Sequence, residues 1–207
     1  MSTRAGSPSP RQEELLEAAY RYALTHGLSD LSLRPLAAAI GSSPRVLLYL
    51  YGSKDGLVRA LLARARADEL ILLARVRDTN AGSFDLAASL RSTWAWLSAE
   101  EHRPLLCLWV EAYARSLAEP GGPWASFAGA TVEDWLDLLA GAQSPRRRRS
   151  RAGLVERTAA LAVLRGALLD LLATGDLGRT SAAVESYIRT LDRVVGSSGA
   201  RPHPPRL

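Results

Sequence analysis

The chain has 207 residues, 47% of them hydrophobic, with 26 basic and 21 acidic side chains and a formal charge of +5. That length can bury a real core and divide into a small N-terminal domain and a larger second one. The single cysteine, Cys107, excludes an internal disulfide and suits a reducing cytoplasm. The most apolar stretch, 158–173, is interrupted by Arg165 and Asp170, which argues against a membrane span.

In chain order, residues 1–10 are rich in Ser and Pro and lack an apolar run, so they read as a disordered arm and not an export signal. Arg11 to His26 places Leu15, Leu16, Ala19, Tyr22 and Ala23 on one helical face and stops at Gly27. A second helix opens at Ser32, whose hydroxyl is expected to cap it, and carries Leu33, Leu36, Ala37 and Ile40 on one side. Gly41 stands where a helix commonly ends in a left-handed residue, and Ser43 with Pro44 supplies the next N-cap and first turn. Two helices joined so tightly must cross steeply, which is the pattern of a helix-turn-helix.

The third helix, Pro44 to about Leu50, is the one such a unit lays in the major groove. Val46 or Leu47, with Leu50 and Tyr51, can face the small core, leaving Arg45, Leu48 and Tyr49 outward. Arg45 can donate a bidentate pair to guanine, Leu48 can meet a thymine methyl, and Tyr49 can reach a base or a phosphate. Ser53 caps a further helix, so that Lys54 and the N–H groups there suit phosphate. With Ser32, Arg34, Ser43 and Pro44 these residues make the expected DNA-binding set.

The run from Gly41 to Leu57 resembles the N-terminal domain of the tetracycline-repressor-type (TetR) family, whose pattern is close to A-G-V-S-x-G-x-L-Y-x-Y-F-x-S-K-E-x-L. Gly41, Ser43, Leu47, Ser53, Lys54 and Leu57 match, Asp55 replaces acid by acid, and Tyr51 replaces Phe. Ser42, Arg45, Leu48 and Leu50 depart from it. The family's tyrosine contact to phosphate falls on Leu48, which has no hydroxyl, while Tyr49 offers a substitute one residue on. The resemblance implies an all-α protein in which a three-helix DNA-binding domain precedes a larger helical ligand-binding and dimerisation domain.

The expected boundaries are a reading head at 11–56, a second domain at 57–195, and a disordered tail at 196–207. Asp55 to about Asp78 forms a long helix with Leu57, Leu61, Leu62, Ala65, Leu72 and Val76 inward. Asn80 to Ser83 breaks it; helices follow at 83–99, 103–117, 124–140, 151–173 and 181–195, with a break at Glu119 to Pro123. No segment shows strand alternation. Residues 141–207 hold 12 basic and 5 acidic side chains, against 7 and 11 in 61–140 and 7 and 5 in 1–60. Part of that excess is the run Arg146 to Arg151, read as a solvated polar linker.

Apolar residues nearly encircle helix 151–173, so a second surface must cover some of them. Leu161, Leu164 and Leu168, with Val184, Tyr187, Ile188 and Leu191 of the last helix, are the expected dimerisation residues, and Val194 and Val195 continue that stripe. Gly166 with Ala162 permits close approach of a neighbour, and a two-fold bundle with a second copy follows, which the family resemblance also implies. All five tryptophans fall in the middle segment. Trp94, Trp109, Tyr113, Trp124, Phe127 and Trp135 are candidates to line a ligand cavity, with Arg91, His102, Glu111 and Arg115 as polar candidates to orient the ligand.

These features point to a cytoplasmic homodimeric DNA-binding regulator, a repressor released from a pseudo-palindromic operator by a small, mainly apolar or aromatic effector. A ligand-independent architectural DNA-binding protein and a helical enzyme are the alternatives. For an enzyme the histidines are isolated and no phosphate loop, zinc-protease or nucleophile-elbow motif occurs, while Cys107 in an apolar run reads as a buried, inert thiol. No cofactor or metal is expected.

Overall fold

The computed structural model describes residues 9–28, 30–79 and 84–199, with side chains through 192. Its α-helices are α1 (Pro10–His26), α2 (Leu33–Ala39), α3 (Pro44–Tyr51), α4 (Lys54–Thr79), α5 (Leu86–Leu97), α6 (Arg103–Ala118), α7 (Phe127–Gly141), α8 (Pro145–Arg148), α9 (Arg151–Thr174) and α10 (Leu177–Gly199), with one 3-10 turn at Glu100–His102. No strand occurs among the described residues. The expected arm and tail lie largely outside them, apart from 196–199, which continue α10.

Two compact units form. One holds the chain through Ile71 together with Pro104–Val132, and the other holds Leu72–Arg103 with Glu133 onward. The boundary expected at 56/57 is no break in the chain, because α4 runs unbroken through it.

The core of the first unit explains why its N-terminal helices sit as they do. Ala19, Tyr20 and Ala23 of α1, Leu36 and Ala37 of α2, Leu47 of α3, and Leu57, Val58, Leu61 and Leu62 of α4 are buried together. Leu108 and Ala112 of α6, with Trp124 and Phe127, belong to the same cluster. Polar bonds fix how the helices meet. The Tyr20 hydroxyl donates to Asp68 at 2.9 Å, and Arg64 pairs with both Glu17 and Asp68 while lying over the Tyr20 ring. Burial, then the Asp68 carboxylate, pushes the Tyr20 phenol well above its ordinary range. Beyond the end of α1, both Glu111 oxygens accept the Leu28 N–H at 3.0 Å. Gly27 has φ of 76°, so the tight exit from α1 favours glycine, and a Cβ there would also press on a Glu111 oxygen at 3.0 Å.

In the second unit α5, α9 and α10 pack mutually. The Trp94 indole N–H donates to the Ser181 hydroxyl at 3.0 Å, Arg91 pairs with Glu185 and Asp192, and Arg103 donates to the Leu172 carbonyl at 2.9 Å.

Three expectations need correction. The arginine run is no open linker: Ser144 and Pro145 start the one-turn helix α8, and Arg147 is held by Glu156. Helix α10 begins at Leu177, before the expected Ser181, because Gly175 ends α9 in the left-handed region and Asp176 accepts the Arg179 N–H at 2.9 Å as an N-cap. Cys107 is exposed. It sits in an apolar run, yet Leu106 and Leu108 take the buried positions of α6.

Helix α3 has one buried side chain, Leu47, at 1% exposure. Leu47→Ala is expected to lower unfolding free energy by about 2–5 kcal/mol. A shift of the urea midpoint at constant slope measures this, with Val46→Ala, at an exposed site, staying near wild type.

Candidate nucleic-acid interface

Backbone chemistry sets the turn between α2 and α3. Gly41 has φ of 64°, a conformation costly for any residue with a Cβ, and it lets the chain reverse within four residues. The Ser43 hydroxyl then accepts the Val46 N–H at 3.3 Å and Pro44 occupies the first turn. At the far end the Ser53 hydroxyl accepts the Gly56 N–H at 3.0 Å and starts α4. Tyr51 anchors α3 to α1 by donating to the Gln12 carbonyl at 3.1 Å.

With Leu47 turned into the core, the other side of α3 faces solvent. Tyr49 is 87% exposed, Leu48 41% and Val46 40%, and Arg45 is exposed beside them. Ser32, Arg34 and Lys54 are exposed, while Ser43 and Pro44 are half-buried at the helix entry. Val46 joins this surface and was not among the expected DNA-binding residues. Its signal lay in the helical spacing, since only Leu47 at that end of α3 is placed to enter the core. Ser32 stands at the N-cap of α2 but makes no side-chain capping bond, contrary to expectation. A basic group and exposed apolar and phenolic side chains on a helix about 12 Å long match what base edges and thymine methyls in the major groove offer.

The aromatic candidates do not form one group. Trp109 and Tyr113 meet with ring centroids 5.2 Å apart, and Trp109 packs on the core that contains Trp124 and Phe127. Trp94 and Trp135 are buried in the other unit. The four polar candidates are engaged elsewhere: Arg91 with Glu185 and Asp192, His102 stacked on Trp96, Glu111 on Leu28, and Arg115 with Glu119 at 2.6 Å.

Sequence reasoning missed Glu69. It is buried at 5% exposure and accepts the Trp109 indole N–H at 3.2 Å. Its position was readable, because it falls four residues after Ala65 and three before Leu72 on the inward stripe of α4.

The expected dimerisation residues have the following places in the single chain. Leu161, Leu164, Leu168, Val184 and Ile188 are buried in the core of the single chain, and Tyr187 and Leu191 are half-buried beside them. Val194 and Val195 lie where side chains are outside the described residues. Among the described residues no group of three His, Cys, Asp or Glu could hold a metal ion, and no helix is long and apolar enough to cross a membrane.

Residues 15–61 match the family model of bacterial regulatory proteins, tetR family. No curated protein sequence matches the chain. Among solved structures, a TetR transcriptional regulator from Legionella pneumophila is 18% identical with a TM-score of 0.68, over 90% of this chain and 99% of that one. A TetR-like transcriptional regulator from Rhodococcus sp. RHA1 is 21% identical with a TM-score of 0.58, over 95% and 99%. The multidrug binding protein EbrR, complexed with proflavin, is 26% identical with a TM-score of 0.62, over 86% and 98%. The matched segment, 15–61, holds the whole α2–turn–α3 unit and its exposed face, so over this N-terminal part the chain is similar to the tetR family of bacterial regulatory proteins.

Proposed function

We propose that the protein is a cytoplasmic homodimeric repressor that holds a pseudo-palindromic operator through two copies of α3 and leaves it when a small organic effector binds. The observation that carries DNA reading is the sorting of α3, with Leu47 buried and Arg45, Val46, Leu48 and Tyr49 exposed on a helix capped at its entry. Specificity rests with Arg45, Leu48 and Tyr49, while Ser32, Arg34 and Lys54 set register on phosphates.

The outward face of α9 supports a dimer. Val155, Ala159, Ala162, Gly166 and Leu169 are all exposed and recur at alternating spacings of four and three, the period of helices packed side by side. Small residues at its centre permit close approach of a second copy, and Ala182, Ala183 and Ser186 line the exposed face of α10. A self-complementary pairing of these faces carries two reading heads related by a two-fold axis, which is why the operator is expected to be an inverted repeat.

An effector is supported by EbrR, solved with imidazole and with proflavin, and by buried Glu69 accepting from Trp109, whose ring meets Tyr113, in the first unit. Aromatic walls with one buried polar anchor suit a mainly apolar or aromatic molecule.

Selection of bound sites from random DNA tests the proposal, with an inverted repeat as the expected result and absence of any enriched site as the contrary one. On the selected site, Arg45→Ala should cost about 1–3 kcal/mol and relax preference at one base pair per half-site. Lys54→Ala should weaken binding to all sequences alike and reduce the slope of log affinity against log salt by about 1 per head. Ala162→Glu buries a charge at the proposed pairing face. Sedimentation should then show a single chain with unchanged helical content, and operator affinity should collapse with the loss of the second head.

A further inference from the structure

The second unit contains a cavity of about 540 Å³ to which none of the expected ligand-binding residues contributes. Its apolar side is formed by Phe84, Leu86 and Leu191, and its polar side by Asp85, Asp192 and the Arg147–Glu156 pair. We propose that this cavity is a binding site for a small organic cation with an apolar arm, separate from the effector site associated with Trp109 and Glu69.

The volume falls within the roughly 300–1,000 Å³ range of small-molecule sites. Its floor is fixed by bonds that leave little to rearrange. Gln143 is 4% exposed; it donates to the Gly153 carbonyl at 3.0 Å and to Glu156 at 3.2 Å, and it accepts from Arg157 at 3.1 Å. Glu156 in turn takes a two-pronged contact from Arg147, with one bond at 2.7 Å, so these two charges cancel within the wall. The Ser144 hydroxyl caps α8 and holds Arg147 in place.

The remaining charge is negative. Asp192 shares the Arg91 guanidinium with Glu185, which Arg189 also faces. Asp85 commits one oxygen to the Ala88 N–H at 2.9 Å as the cap of α5. Arg146, Arg148 and Arg149 are exposed but do not line the cavity. The walls thus present three carboxylates against one guanidinium, with Phe84, 63% exposed, at hand for a ring or an alkyl arm. An ammonium group placed toward Asp85 and Asp192 gains their attraction, and an aromatic ring on Phe84 and Leu191 leaves water.

Calorimetric titration of the full-length protein tests this with three probes of one shape: 2-phenylethylamine as the cation, 2-phenylethanol as the neutral form and phenylacetate as the anion. The cation is expected to bind at least five-fold tighter than the alcohol, and less tightly as salt rises. Asp192→Asn should remove most of that preference, and Phe84→Ser, outside any helix, should weaken the cation several-fold with melting temperature unchanged. Leu191→Trp, which narrows the cavity on its apolar side, should weaken binding several-fold. Trp109→Phe should leave the titration unchanged, whatever it does to effector response. Tighter binding of phenylacetate, no binding of the amine, or loss of binding in Trp109→Phe but not in Phe84→Ser overturns the assignment.

Discussion

The proposed reading of DNA depends on a helix that cannot stand alone. An eight-residue helix is far below the length at which helices persist in water, and α3 sends only Leu47 fully into the core. Its existence therefore rests on that one buried side chain, on a hydroxyl cap at entry, and on the Tyr51 bond to α1. The economy follows from the task. Residues spent on burial cannot read bases, so the helix keeps one anchor and turns Arg45, Val46, Leu48 and Tyr49 outward. The stability withheld from α3 is supplied by its neighbours, whose Leu36, Leu57 and Leu61 are wholly buried.

Charge plays a smaller part than the +5 total suggests. The densest basic run is at α8, where Arg147 is neutralised by Glu156, while the reading face carries a few isolated cations. The proposed recognition by a short helix with a single arginine at its entry and apolar groups beside it would lean on fit in the groove more than on bulk attraction to phosphate. That division also fits the proposed release by an effector, since a purely electrostatic grip yields mainly to salt.

Much of the frame was legible in the sequence because caps and turn residues act locally. Gly41, Ser43 and Ser53 each place a boundary, and the structure puts each boundary there. The Gly175–Asp176 start of α10 used the same local code and was overlooked in favour of apolar periodicity. Partners were harder to read. Periodicity shows that Leu161, Leu164 and Leu168 must be covered, but it does not say by what, and α5 and α10 of the same chain pack there. Ala162 and Gly166 were legible as small residues that permit close approach, whereas Val155, Ala159 and Leu169, which extend that exposed face of α9, were not singled out among its apolar residues. The aromatic residues deceived for a related reason: Trp94 and Trp135 belong to a different compact unit from Trp109, and only the course of the chain reveals that.

The core that supports the reading head draws Leu108, Ala112, Trp124 and Phe127 from beyond residue 100, and Glu111 ties the exit of α1. The head is therefore not a detachable module, although its family match ends at residue 61. A chimera that joins this head to another regulator's body within α4 would leave those side chains facing a foreign α6. Diversification of the two ends of such a chain is coupled, with substitutions on α6 answerable to residues some eighty positions earlier.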